Sequence, residues 1–404
     1  MSDSRLKGLA NSLPARYSSD PHLKRILQVV QTPQRRGAEI FAYDLSQEFE
    51  RQGIETKIVY LYEYSGDKAL ALREMDVCLG GSPDHMLARS LGFQPDLLYR
   101  LRREIDLFSP DIVQVNGARS VKYGAMVKLL SMRSRRWKLV YRTINIPSHW
   151  QKNRFILRLY KLLIMPQMDG VVSVCTPGLD DANRLYEFEV PSVVVLNGFD
   201  PMRLQVDPAS RQELRASYGA CDGDIILLFL GSLVPQKRPD RFIRLIARIA
   251  ERDPRCYGWI VGDGFLRDET EKQAQNLGIE DKVRFFGYQS DIGRYLIASE
   301  LYVLTSDTEG LPATVLEAGF LGVPVVSTDV GGVYEGVLQG ETGVLVPRDD
   351  EDALMEATSW LAHDKSARDK MAERARARFE AEFTISKIAQ EYMRFYEHLH
   401  PVIN

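Results

Sequence analysis

The chain has 404 residues, 45% hydrophobic and 26% charged, with a formal net charge of −3. That length is too great for one compact core and fits two domains, the composition is that of a soluble globular protein, and the charge gives no whole-protein attraction to nucleic acid. Cys78, Cys175, Cys221 and Cys256 are scattered with no Cys-x-x-Cys pair, so neither a disulfide frame nor a zinc site is indicated. No apolar run is long enough to span a membrane and no signal-peptide core is present, so a reducing, cytoplasmic setting is the expectation.

Residues 1–23 are polar and read as a loosely held tail. Residues 25–31 read as a buried strand, followed by Pro33-Gln34-Arg35-Arg36-Gly37 and a helix with Ile40, Phe41, Leu45 and Phe49 on one face. Strand, short glycine-containing loop and helix open a nucleotide-type α/β unit, and Gly37 is placed to let backbone approach a phosphate or an acceptor. Residues 54–61, 111–115, 139–143, 170–174 and 193–196 read as further strands and residues 97–108 as a helix. Residues 201–223 read as a linker with one helix. A second series of strands is expected at 225–230, 259–261, 283–286, 301–304, 323–327 and 344–346, and residues 351–400 are helical in pattern. The alternation predicts two parallel sheets, each covered by helices on both faces. Asp222-Gly223-Asp224 has the D-x-D pattern of metal-dependent transferases but precedes a strand, so it reads as a turn and no metal is expected.

The most informative stretch is SDTEGLPATVLEAGFLGVPVVST, residues 306–328. It follows an apolar strand, and Pro312 suits the first helical position because it lacks an N–H. The amides of Ala313, Thr314 and Val315 would then form a positive helix end suited to phosphate. Glu309 lies in the loop and Glu317 in the second turn, eight positions on, where each carboxylate could accept hydroxyls from a different part of one extended ligand. Ribose and hexose both offer such hydroxyls. Lys237, just past the strand at 225–230, is a point charge placed for a diphosphate. The loops at Gly262-Asp263-Gly264 and Phe286-Gly287-Tyr288 follow strand ends and face the same crevice.

Glu309-Gly310-Leu311-Pro312-Ala313-Thr314-Val315-Leu316-Glu317 resembles the E-x7-E motif of the retaining GT-B glycosyltransferases, family 4, and Gly322-Val323-Pro324 and Gly331-Gly332 continue the pattern. The resemblance is strong over the second half of the chain and weaker over the first. It implies a GT-B fold with two Rossmann-like domains across a cleft: an acceptor domain at 24–200, a donor domain at 201–383, and a helix at 384–404 crossing back to the first domain through Phe395, Tyr396 and Leu399. It implies a metal-independent, retaining transfer from a UDP-, GDP- or ADP-sugar to a glycan or lipid-linked acceptor, with no cofactor beyond that co-substrate. Asn197-Gly198-Phe199-Asp200 resembles the turn that closes the family's first domain. The loop at Gly287 and Tyr288 would cradle the base, with Asp263 close by. Ser232 stands where the family usually has Arg, and Arg238 or Arg241 would have to compensate. Asn145 stands where many relatives have His, which leaves His149 as a substitute. The competing readings are a GT-B-shaped sugar-nucleotide epimerase and a non-catalytic partner subunit.

Between residues 119 and 165 the chain carries many Lys and Arg but no Asp or Glu, and residues 151–165 have the pattern of a basic amphipathic helix. This predicts peripheral contact with an anionic membrane surface. Nucleic acid is not expected, because no aromatic platform for base stacking is present.

Overall fold

The computed structural model describes residues 23–82, 94–131 and 136–400. The expected tail lies outside the described residues except for Leu23, as do Arg133 and Arg135 of the basic stretch. Two parallel sheets form the two lobes. The first holds β1 (Arg25–Val30), β2 (Glu55–Tyr62), β3 (Val77–Gly81), β4 (Ile112–Asn116), β5 (Lys138–Thr143), β6 (Gly170–Ser173) and β7 (Ser192–Val194), in the order β3-β2-β1-β4-β5-β6-β7. The second holds β8 (Ile225–Leu230), β9 (Cys256–Val261), β10 (Val283–Gly287), β11 (Leu301–Leu304), β12 (Val325–Thr328) and β13 (Gly343–Val346), in the order β10-β9-β8-β11-β12-β13. Each order reverses once, between β1 and β4 and between β8 and β11. These are the points where a doubly wound sheet leaves a crevice beyond its strand ends.

The central strands read as continuous apolar runs because helices cover both faces: all six residues of β8, Ile-Ile-Leu-Leu-Phe-Leu, are buried. β3 was not expected. Its Val-Cys-Leu-Gly-Gly sequence is short, ends in two glycines and is only partly buried at the sheet edge.

The helix Ile385–Leu399 belongs to the first lobe's core, as expected of a crossing-back helix. Ile388, Tyr392, Phe395, Tyr396 and Leu399 pack with Ile26, Phe41, Phe49, Ile112 and Val140. Both tyrosines carry their hydroxyls into polar partners beneath the sheet: Tyr396 donates to Gln114 Oε1 at 2.5 Å, and Arg142 Nε donates to Tyr392 at 3.0 Å. The chain returns to the first lobe beside its departure point. Phe199 N–H donates to Phe383 O at 3.0 Å, and Ile385 N–H donates to Phe199 O at 2.9 Å.

The expected single helix over 151–165 is broken into three pieces. An α-helical turn spans Arg154–Leu159, a wider π-helical turn Tyr160–Ile164, and a tighter 3-10 turn Met165–Gln167. Pro166 supplies no N–H to continue the ladder, which accounts for the end of the segment.

Candidate active site

A cavity of about 1200 Å³ lies between the lobes, where the reversal points of the two sheets face each other. Its second-lobe wall is built by the loop after β11. Ser306 is buried and donates to Glu309 Oε1 at 2.6 Å, and Lys237 Nζ donates to the same oxygen at 2.6 Å. Glycine supports the loop from behind. A Cβ at Gly331 would stand 1.8 Å from Glu309 O, and the φ there is +56°, so only glycine fits. Asn197 Nδ2 donates to Leu311 O at 2.6 Å, tying the loop to the first lobe.

The helix after this loop begins at Ala313, one residue later than expected. Pro312 has φ −67° and ψ 131°, an extended conformation, and so precedes the helix. Val315 is not part of the cavity wall: it is fully buried, and its amide already donates to Pro312 O at 3.1 Å. Ala313 and Thr314 do line the cavity, with Gly310, Leu311 and Pro312, and their amides are the helix's unpaired N-terminal donors. Tyr302 hydroxyl lies 2.8 Å from Thr314 Oγ1 and fixes that side chain.

Ser232, Lys237 and Asp263 also line the cavity. Their two loops interlock: Leu233 N–H donates to Asp263 O at 3.1 Å, and a Cβ at Gly262, φ +138°, would stand 1.9 Å from Gly231 O. Asp263 Oδ1 accepts from Gly264 N–H at 2.8 Å, so the carboxylate braces its own turn. Arg238 and Arg241, the candidates to stand in for an arginine at Ser232, are engaged elsewhere. Arg238 is bound to Asp240 at 2.8 Å and Asp307 at 3.2 Å. Arg241 is buried, donating to Thr305 O at 2.6 Å and Asp307 at 3.0 Å, and neither lines the cavity. Gly287 is set back from the wall, where its carbonyl accepts from Gly262 N–H at 2.8 Å. Tyr288 is on the wall, with Lys68 Nζ of the first lobe 4.6 Å from its ring centroid. Burial pushes the Tyr288 phenol above its usual range.

The first lobe contributes Gly37 and Asn145, both lining the cavity. His149 is displaced from it. Its Nδ1 lies 2.6 Å from Thr308 Oγ1, beside Glu309 but across the lobe boundary. Asp222 and Asp224 lie before β8, where Asp224 accepts from Cys221 N–H at 2.6 Å in a turn. Among the described residues, the trio Asp253, Cys256 and His363 is close enough to share an ion, and it does not line the cavity.

Several wall residues were not anticipated. Arg142, 1% exposed, is held under the cavity by Tyr392, by Asn197 Oδ1 at 2.6 Å and by the Phe41 ring at 4.0 Å. It connects the crossing-back helix to Asn197 and so to the Glu309 loop. At the hinge Arg203 pairs with Asp44 and stands 3.5 Å from Glu317. Burial pushes Glu317 upward, opposed by Arg203, and pushes Asp44 up to about 7. Glu39, in the first turn of the helix Gly37–Arg51, is buried beneath the wall and is likewise pushed up to about 7 by burial.

The family model for glycosyl transferases group 1 matches residues 210–378, and that for glycosyltransferase family 4 matches residues 35–203. Among curated proteins, the chain is 32% identical over 169 residues to the lipopolysaccharide core biosynthesis glycosyltransferase LpsE of Rhizobium meliloti, covering 42% of this chain and 48% of that one. It is 31% identical over 185 residues to the N-acetyl-alpha-D-glucosaminyl L-malate synthase of Bacillus anthracis, covering 46% and 48%. The matched segments thus span about half the length of these relatives. Among solved structures, Anabaena HepE in complex with UDP and glucose superposes with a TM-score of 0.78 at 21% identity, covering 93% of this chain and 100% of that one. The sucrose-phosphate synthase of Thermosynechococcus elongatus also gives 0.78, at 18% identity, covering 93% and 99%. Two interlocked parallel-sheet lobes, the cavity between them and the two family models spanning both lobes place the chain in the group 1, family 4 glycosyltransferases of GT-B fold.

Proposed function

We propose that the chain is a retaining glycosyltransferase that moves a sugar from a nucleoside-diphosphate sugar to a hydroxyl acceptor. One observation carries this reading: Glu309, Lys237, the Ala313 and Thr314 amides and Glu317 share a single cavity. Lys237 and the helix end answer the diphosphate, Glu309 positions the sugar, and Glu317 accepts ribose hydroxyls. In the transfer, the bond from anomeric carbon to phosphate oxygen breaks and a bond to the acceptor oxygen forms on the same face. The acceptor proton passes to the departing phosphate, so no strong enzymic base is needed and Asn145 need only hold a hydroxyl. Lys237 and the amides stabilise the leaving charge without a metal. Asp263 and Tyr288 flank the base, and Gly37 admits the ligand against the first lobe.

A thermal-shift screen over UDP-, GDP- and ADP-sugars tests this. A donor at a hundred times its Kd adds about 2.7 kcal/mol to the folded state and raises Tm accordingly. No shift with any of them would refute nucleotide-sugar binding. Donor consumption without acceptor would instead assign an epimerase, and binding with no consumption under any acceptor a non-catalytic subunit.

We further propose that the first lobe contacts an anionic lipid surface, which fits a lipid-linked acceptor. Trp150, Phe155 and Leu162 are 56%, 71% and 63% exposed, beside Ile156, Leu159 and Leu163. Lys152, Arg154 and Arg158 are exposed among them, whereas Lys161 is 2.7 Å from Glu187 and Arg142 and Lys128 are buried. No helix among the described residues is long and apolar enough to cross a membrane. The protein is expected to co-sediment with phosphatidylserine-containing vesicles at low salt and to release at high salt. Equal recovery with neutral and anionic vesicles would remove the basis for the proposal.

A further inference from the structure

At the hinge, one guanidinium is divided between two carboxylates. Arg203 lies in the single turn Pro201–Leu204 that links the lobes. Its Nη1 donates to Asp44 Oδ2 in a close contact, while its Nη2 stands 3.5 Å from Glu317 Oε1. Asp44 comes from the first lobe's helix Gly37–Arg51 and Glu317 from the second lobe's helix Ala313–Phe320. They are 3% and 6% exposed, so little water compensates either charge, and all three side chains line the cavity. Asp44 Oδ1 is buried with no hydrogen-bond partner among the described residues.

We propose that Asp44 is a positioning residue: it holds Arg203 back from Glu317 and so leaves the Glu317 carboxylate open to the ribose hydroxyls of the ligand. This rests on the nucleotide-sugar reading above and deepens it, because it explains how a buried carboxylate beside a cation stays available. A carboxylate has a limited set of lone pairs, and a guanidinium prefers to occupy two of them in a fork. The long Arg203–Glu317 contact is not such a fork. With the charge on Asp44 removed, Arg203 has Glu317 as its remaining carboxylate, and a full pair there occupies the oxygens that a vicinal diol would use.

A proton on Asp44 acts like the substitution. The groups facing Asp44 are Arg203, Asp200 and Glu317, and Arg51 stands 3.5 Å from Asp200. Burial raises Asp44 to about 7, Asp200 and Glu317 add to the rise, and Arg203 opposes it. As pH falls through that value, Asp44 becomes neutral and Arg203 is freed to move onto Glu317, whose own carboxyl burial also raises, and both changes weaken recognition of the ribose.

The test is isothermal titration of the full chain with UDP, GDP and ADP and with the 2′-deoxy form of whichever binds. At pH 8 the unmodified protein is expected to prefer the ribonucleotide by about tenfold or more. Asp44→Asn is expected to weaken ribonucleotide binding by about tenfold and deoxynucleotide binding by less than about twofold. Adding Arg203→Met to Asp44→Asn removes the competitor and restores the preference, which a merely structural role for Asp44 would not produce. In the unmodified protein the preference declines from pH 8 to pH 6. If Asp44→Asn alone does not fold, the double variant and the pH series still decide the question. An unchanged preference in Asp44→Asn, equal losses for both forms without recovery in the double variant, or a pH-independent preference overturns this inference alone. If no nucleotide binds the unmodified protein, the nucleotide-sugar reading falls and this one with it.

Discussion

Glu309→Gln is expected to lower kcat by about two orders of magnitude or more, with a smaller change in donor affinity. The substitution keeps the shape and one hydrogen-bond acceptor of the side chain and removes its charge. In the structure that charge is answered by Lys237 at 2.6 Å and by Ser306 at 2.6 Å, both on Oε1. Both bonds fall on one oxygen, and on the proposed reading the other accepts a sugar hydroxyl. As the bond to the leaving group lengthens, positive charge grows at the anomeric carbon and its ring oxygen, and a nearby carboxylate stabilises that state more than the ground state. The Gln variant loses this differential term while still accepting a sugar hydroxyl, so kcat falls more than KM rises. Steady-state kinetics with the donor found in the thermal screen measures the split. A kcat within about threefold of the unmodified protein, well short of the loss expected from removing a transition-state charge, would show that Glu309 does not act on the reacting sugar.

The parts of this site that could be read from sequence are those carried by contiguous chain. Glu309, Glu317 and the helix start lie within one loop and one helix, and Lys237 follows directly on β8. The parts that could not be read are brought together only by folding. Arg203 meets Asp44 across 159 positions and Glu317 across 114, and Arg142 meets Tyr392 across 250. No local pattern announces such pairs. Asn197 was legible as a turn residue, but its bond to Leu311 O depends on how the lobes dock. Arg238 and Arg241 were candidates because sequence shows a cation's position without its partners. Asp240 and Asp307, which hold them, came into view only with the packed structure. The same logic holds for the fold. Strands buried on both faces announce themselves by apolar runs, whereas β3, half-exposed at an edge, does not.

Lys237→Met should produce the larger loss in kcat/KM, about three orders of magnitude, and the cause lies in what surrounds the lysine. Ser232 offers a hydroxyl and no charge, and Arg238 and Arg241 are held by Asp240 and Asp307. From β8 onward, Lys237 is therefore the one side-chain cation that the described residues place on the cavity wall; Arg203, in the linking turn, also lines it but is paired with Asp44. Its stem lies along Gly231, with Cδ and Cε 3.6 Å from where a Cβ there would be, so its reach toward the diphosphate is set by a glycine backbone. In the structure the ammonium is held by Glu309. On the proposed reading, a diphosphate, which carries more charge than one carboxylate, draws the ammonium away and frees Glu309 for the sugar. Met fills the stem's volume without the charge. Affinity for the nucleoside diphosphate of the donor found in the thermal screen should fall by about tenfold or more, while its monophosphate, which lacks the β-phosphate, should bind within about twofold of normal. Equal losses for the diphosphate and the monophosphate would place Lys237 away from the β-phosphate. Because Lys237 and Glu309 share one hydrogen bond, the double variant Glu309→Gln/Lys237→Met should lose less than the product of the two single losses. If the losses multiply, the pair acts independently and the exchange of partners on donor binding does not occur.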